Sequence, residues 1–321
     1  MSYFYRNTLD AKVRRKFSSL LHSFFVDVNP DHRSSILVFG SGRSGTNWLA
    51  ETINFDQTYR FIVEPFNRER VPIAAGFSKA QYLRPGDDDA RFVEPAQTIF
   101  QGRVRCPWTD SMNARSIAHS RVIKDVRSTL LSGWIAGHFP GMPLVFIVRH
   151  PCAVAHSRSR LNWVPRSPDV YLSQPALMED HLEPFRDLIE GQQSDFLRHV
   201  LDWCIENYVP KRQLDLARPC VVQYERLVAD RERELRRVFR YVGRPFDVGA
   251  VRRSERPSAT AFAQPASRVP AMWDSSERWD RRRPRSEIRG AMSIVERFGL
   301  ESWYSSEAAP LTDESLARPA R

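Results

Sequence analysis

A chain of 321 residues suits one large α/β domain or two small ones, and 42% hydrophobic residues suffice for a well-buried core. Its net charge of +10, nearly all of it arginine, points to anionic ligands or surfaces, yet no helix-turn-helix, RRM or zinc pattern supports a nucleic-acid-binding module. No apolar run nears the length of a membrane span, no secretory hydrophobic core opens the chain, and Cys106, Cys152, Cys204 and Cys220 form neither a zinc nor a disulfide pattern. A cytoplasmic chain with buried free thiols and no metal site is therefore expected.

Residues 1–34 read as an amphipathic helical extension. Leu9, Val13, Phe17, Leu20, Leu21, Phe24 and Phe25 recur at helical spacing, with Arg14, Arg15 and Lys16 among them. Such a helix suits peripheral contact with a membrane surface or, more commonly, packing on the domain it precedes. Residues 35–305 read as a single domain and residues 306–321 as a flexible tail.

The domain opens on its most informative stretch. Ser35 to Phe39 is a strand, Gly40 to Gly45 a small-residue loop, and Thr46 to Asn54 a helix. Strand, glycine loop and helix start make a phosphate cradle, because successive N–H groups and the positive helix end face an anion. Arg43 adds a full charge on a planar fork. Gly40 and Gly45 have the Walker A spacing, but Thr46 and Asn47 stand where that motif needs Lys and Ser/Thr. The usual phosphate lysine and magnesium hydroxyl are both displaced, so the cradle suits a phosphate-bearing ligand handled without magnesium.

Arg60 to Val63 reads as the next strand, ending at Glu64-Pro65-Phe66. Asn67 to Ser120 looks irregular, with Asp87-Asp88-Asp89 and several prolines, and predicts long loops and short helices. Val122-Ile123-Lys124 is a short strand and Ser128 to Gly137 a helix. Leu144 to Val148 is the strongest strand, and its unbroken apolar run predicts burial on both faces. It ends at Arg149-His150-Pro151, with Pro151 in the first turn of a helix. Asn162 to Glu183 is a second irregular insert. A long amphipathic helix follows, capped by Ser194 or Asp195 and carrying Phe196, Val200, Leu201, Cys204, Ile205, Tyr208 and Val209. Cys220 to Tyr224 is a strand, and Asp230 caps a helix that Gly243 ends. Arg252 to Arg283 lacks periodicity, and Glu287 to Phe298 reads as the last helix. The alternation predicts a P-loop-type, doubly wound parallel α/β sheet of about five strands with helices on both faces and ligands at the strands' carboxyl ends.

Arg149 at a strand end and Ser157 two turns into the next helix can converge on one anion. With that second site in place, the chain resembles the sulfotransferases that use 3′-phosphoadenosine 5′-phosphosulfate (PAPS), in their bacterial form and closest to those acting on carbohydrates. Three signatures carry the resemblance. The first is Arg43-Ser44-Gly45-Thr46-Asn47-Trp48-Leu49 after a strand. The second is Arg149-His150-Pro151-Cys152-Ala153-Val154-Ala155-His156-Ser157-Arg158. The third is Tyr224-Glu225-Arg226-Leu227 before a helix and the turn Gly243-Arg244-Pro245-Phe246.

The resemblance implies that Arg43, Ser44, Gly45, Thr46 and Asn47 hold the 5′-phosphosulfate and that Trp48 stacks on adenine or packs beneath it. It implies that Arg149 and Ser157 bind the 3′-phosphate and that Tyr224 reaches the adenine edge. His150 departs from the family's usual Asp. The family's late basic motif has no clear counterpart; Arg253, Ser267 and Arg268 lie in its region. Glu64-Pro65 resembles the Glu-Pro pair of carbohydrate sulfotransferases and makes Glu64 the candidate general base, against a reading as a carboxylate that neutralises Arg43 or caps a turn. Lys124 resembles the lysine that contacts the bridging oxygen, against a salt bridge to Asp125 or another neighbour. Where cytosolic sulfotransferases place a catalytic His two residues on, this chain has Val126. His119, His138 and His156 fit surface or packing positions better than a base.

The expected activity is metal-independent, in-line transfer of a sulfuryl group from PAPS to a hydroxyl-bearing acceptor, such as a glycan or glycolipid, leaving 3′,5′-ADP. A small-molecule alcohol or phenol as acceptor, and a P-loop kinase reaction, are the alternatives.

Overall fold

The computed structural model describes residues 26–113, 115–214, 219–258 and 279–304. The expected amphipathic helix up to Phe25, Ser267 and Arg268, and the tail beyond Tyr304 lie outside these residues.

In chain order the strands are β1 (Val26–Asp27), β2 (Ser35–Phe39), β3 (Arg60–Val63), β4 (Ile117–Ala118), β5 (Arg121–Asp125), β6 (Leu144–Val148) and β7 (Cys220–Gln223). Five of them form one sheet in the order β3-β5-β2-β6-β7, parallel throughout. Each of the five is buried along its whole length. Side chains alternate between two cores, as the period of two requires. Ile36, Val38, Phe61, Val63, Val122, Val145, Ile147 and Val222 face one, and Leu37, Phe39, Ile62, Ile123, Phe146, Val148 and Val221 the other.

The principal helices are α1 (Thr46–Ile53), α2 (Ala90–Phe100), α3 (Ser132–His138), α4 (Pro151–Arg160), α5 (Asp195–Gln213), α6 (Tyr224–Ala229), α7 (Arg231–Tyr241), α8 (Val248–Ser254) and α9 (Arg285–Arg297). Trp48, Leu49 and Ile53 of α1 join the first core. Cys152, Ala153 and Val154 of α4, with Val200, Trp203 and Cys204 of α5, join the second. The connections leaving β2 and β6 therefore cross opposite faces, and the crevice between these neighbouring strand ends is the sheet's topological switch point. It is also where the Gly40–Gly45 loop and Arg149 emerge.

Several boundaries differ from the sequence reading. Residues 26–34 belong to the domain rather than to a helical extension: β1 pairs with β4, and buried Asp27 accepts a hydrogen bond from Arg121 at 2.7 Å. The irregular stretch before Ser120 holds α2, capped by the last aspartate of the acidic run, Asp89. Pro95 inside α2 hid it, since an interior proline reads as a break. The helix expected from Ser128 begins as a 3₁₀ turn, Thr129–Leu131, before α3. Tyr224 starts α6 instead of ending β7. The four cysteines are buried and unpaired. No helix among the described residues is long and apolar enough to cross a membrane.

Candidate active site

The loop after β2 is a tight backbone device. A Cβ on Gly40 would stand 2.1 Å from the carbonyl oxygen of Ile147 on β6, so only hydrogen lets the loop leave between the two strands. Gly45 has φ +98° and lies against the Tyr224 ring, which a Cβ would meet at 2.9 Å. Arg43 is itself left-handed, φ +83°, a conformation that costs a side-chain-bearing residue energy and that clusters at ligand sites. Gly40→Ala is expected to push the ends of β2 and β6 apart and cost of order 1–3 kcal/mol, seen as a lower urea midpoint with an unchanged slope. The Ser44 hydroxyl is buried with no hydrogen-bond partner among the described residues, an orphan that a phosphate oxygen would satisfy.

The second anion group sits on the same rim. Arg43 Nε donates to Ser157 Oγ at 3.0 Å, Arg149 Nη1 to the Arg43 carbonyl at 3.2 Å, and Arg158 Nε to the Gly42 carbonyl at 3.2 Å. Three guanidinium groups thus crowd one loop, and Arg43 makes no ion pair among the described residues. Its side chain reaches solvent, but lost hydration, together with the Arg149 and Arg158 charges, holds its pKa down to about 10. It remains a cation at neutral pH, in a field that an anion would relieve.

Trp48 and Tyr224 take supporting places. Trp48 is 1% exposed and its indole donates to the Ser254 carbonyl of α8 at 3.0 Å, so it packs beneath the loop and offers no stacking face. The buried Tyr224 ring lies 5.6 Å from the Trp48 ring and carries the Arg149 guanidinium 4.4 Å from its centroid. Its ring face thereby supports Arg149. His150, the departure from the family pattern, caps α4 by accepting from the Cys152 N–H at 3.2 Å.

A third cluster joins the ends of β3 and β5. Glu64, left-handed at φ +41°, accepts from Lys124 Nζ at 2.5 Å and from Arg127 Nη1 at 2.6 Å. Burial works to raise the Glu64 pKa, but the Lys124 and Arg127 charges outweigh it and hold it at about 2. Glu64 therefore neutralises neither Arg43 nor a turn; its partners are these two cations, and Lys124 pairs with Glu64 rather than with Asp125. Lys124 lies in register with Val38 of β2, one residue before the strand end that opens into the phosphate loop. His138 donates through Nδ1 to the Trp134 carbonyl, 3.0 Å away. His156 packs on Arg283 at 3.4 Å; burial and surrounding arginines lower its pKa to about 4.

The sequence reading missed two contributors. Arg127 carries no periodic or motif signal; it reaches Glu64 because Asp125 accepts its N–H and that of Phe66, turning both chain ends together. The other is the polar stripe of α5. Glu206 binds Arg158 at 2.7 Å and also pairs with Arg166. Asn207 donates to Ser41 Oγ at 2.9 Å, and Trp203 Nε1 to the Arg149 carbonyl at 2.9 Å. One buried helix face thereby braces both anion groups. Asp202, Glu206 and Asn207 interrupt an otherwise apolar run, and buried polar groups inside a helix are the signal that marked this stripe.

Comparison with known proteins identifies the family. The model of the sulfotransferase family matches residues 35–248, well over half of the chain. Among solved structures, the chain is similar to the sulfotransferase domain of the Synechococcus PCC 7002 olefin synthase, at 16% identity and TM-score 0.46, over 83% of this chain and 94% of that one. It is also similar to the sulfotransferase domain of the curacin biosynthetic pathway, at 14% identity and TM-score 0.47, over 86% and 98% of the two chains. A third is sulfotransferase STF9 from Mycobacterium avium, at 11% identity and TM-score 0.40, over 90% and 80%. No curated protein matches the chain. The family match and the parallel sheet with its glycine loop lead to one conclusion: the chain belongs to the sulfotransferase family and is an enzyme of sulfuryl transfer.

Proposed function

We propose that the donor is PAPS and that the acceptor hydroxyl is carried on a glycan or glycolipid. The observation that carries the donor assignment is the convergence of the glycine loop, Arg43, Arg149 and Ser157 on one rim, with the Ser44 hydroxyl left to a ligand. Phosphates at both ends of one adenosine fit two cationic groups held this close. In this reading the loop N–H groups with Ser44, Thr46 and Asn47 hold the 5′-phosphosulfate, and Arg149 and Ser157 hold the 3′-phosphate.

The reaction needs two things of the protein: cations for the departing oxygen and a base for the acceptor proton. The acceptor oxygen attacks sulfur while the bond from sulfur to the 5′-phosphate oxygen breaks, and the electron pair leaves on 3′,5′-ADP. Lys124 and Arg43 supply the cations that stabilise that departing oxygen. Glu64 takes the hydroxyl proton. The Glu64–Lys124 ion pair supports both assignments, since a carboxylate and an ammonium meet beside the strand that opens into the donor loop. Among the described residues no three His, Cys, Asp or Glu side chains group as a metal site. A kinase reaction is disfavoured by the displaced Walker lysine and by Thr46 and Asn47 in the positions it needs.

Incubation with ³⁵S-labelled PAPS and a panel of glycans, glycolipids, simple alcohols and phenols tests this reading. Label on glycans or glycolipids is the expected result. Label on phenols alone overturns the acceptor assignment and leaves the donor standing.

A further inference from the structure

The turn that follows α4 is built more firmly than a surface loop requires. The Trp163 N–H donates to the Arg158 carbonyl at 3.1 Å, and the Trp163 carbonyl meets His199 Nε2 at 3.1 Å. Asp202 takes the N–H groups of Arg166 and Ser167 at 2.8 and 2.9 Å and the Ser167 hydroxyl at 2.6 Å. His199 and Asp202 are buried on α5, the helix that braces the phosphate loop. Asn162 adopts the left-handed conformation, φ +53°, to start the turn.

This rigid frame displays apolar surface to water. Trp163 is 42% exposed and Val164 87% exposed. The benzene edge of Trp163 lies on the phosphate loop: a Cβ on Gly42 would stand 3.1 Å from Cζ3 and 3.3 Å from Cη2. The other exposed large apolar side chains among the described residues are Val26, Val28, Ile117 and Val248, and none is aromatic. The indole is thus partly in water beside a phosphate loop that the Arg158 guanidinium also touches. Held by a pre-ordered turn, it offers a flat ligand face at little entropic cost.

We propose that Trp163 and Val164 are the acceptor platform, and that the acceptor is an alkyl or lipid-linked glycoside. The sugar ring lays its C–H face on the indole while the apolar aglycone runs along Val164. The inference rests on the sulfotransferase reading above. Trp48 and Tyr224 sit in the core on the α1 side of the loop, whereas Trp163 is held from α4 and α5, the helices of the opposite face. A donor spanning Gly45, Arg149 and Ser157 ends on α4 before the turn that carries Trp163, and leaves the exposed indole to the second substrate. A sugar ring also suits the site chemically, since it joins an apolar face to a hydroxyl next to the Arg43 loop.

The test uses the full chain and octyl β-galactoside below its micelle concentration. Binding is followed by saturation-transfer NMR in the presence of 3′,5′-ADP, and 3′,5′-ADP itself by calorimetry. Trp163→Ala is expected to weaken the glycoside by about tenfold or more, in the range of a truncated aromatic anchor. Trp163→Phe should retain most of the affinity, and both variants should bind 3′,5′-ADP as the wild type does. Equal loss of 3′,5′-ADP binding in Trp163→Ala would make the indole a donor brace and overturn the platform. An unchanged glycoside affinity, or no transfer to the sugar protons in the wild type while 3′,5′-ADP binds, would also overturn it. Failure of the wild type to bind 3′,5′-ADP would instead remove the donor reading beneath it.

Discussion

Glu64→Gln is expected to lower turnover by ~10²–10⁴-fold, the usual worth of a general base, while 3′,5′-ADP still binds. Glutamine keeps the shape and one acceptor oxygen for Lys124 but cannot take a proton. At rest, a carboxylate held at about 2 is a weak base. On the proposed mechanism the donor's negative charge competes with Glu64 for Lys124, which would raise the Glu64 pKa and its basicity. Accordingly, kcat should fall on the acid side at a pH where kcat/KM for the donor is still flat, because the two report the loaded and the free enzyme. The same residue leaves a mark on stability. A carboxylate with a lowered pKa stabilises the fold above its unfolded value near 4.5, and this contribution is lost as the pH falls toward about 2. Wild type and Glu64→Gln should therefore converge in urea midpoint over that window. Near-normal turnover in the variant would remove Glu64 from the chemistry.

Glu206→Ala is expected to cost ~3–5 kcal/mol of stability, as breaking one side of a buried ion pair does. Glu206 is fully buried and its partner Arg158 is nearly so. Removing the carboxylate strands the Arg158 charge against the Gly42 carbonyl and also releases Arg166. The Trp163 turn shares this network through Asp202, one helical turn away. Urea unfolding measures the loss; a midpoint within error of the wild type would show that the network is not a brace. Glu206→Gln keeps one acceptor oxygen but removes the charge and turns an N–H toward an arginine, so it should recover only part of the loss.

The sheet was legible because its strands are unbroken apolar runs that end at punctuation: Gly40 after Phe39, Glu64-Pro65 after Val63, Arg149-His150-Pro151 after Val148. Burial on both faces of a parallel sheet writes that pattern directly into the chain. The phosphate loop was legible because its glycines stand in the chain whatever imposes them: a left-handed φ at Gly45, and the close passage of β6 at Gly40. What stayed hidden was set by tertiary contacts. Trp48 was open between stacking on the ligand and packing beneath it, and only packing places it under the loop and the Tyr224 ring under Arg149. Arg127 is one arginine among many until the Asp125 turn swings it onto Glu64. The 161–168 turn read as an irregular insert because its order comes from His199 and Asp202, residues a helix away in sequence.

In the proposed reading, two cationic groups on one rim hold the two phosphate ends of one adenosine. Titration calorimetry with 3′,5′-ADP and with 5′-ADP, each with and without EDTA, tests it most directly. The structure predicts that 3′,5′-ADP binds at least tenfold more tightly, by the worth of about one charge-assisted phosphate contact, and that EDTA leaves this preference unchanged. Equal affinity for the two nucleotides, or binding that EDTA abolishes, would contradict it.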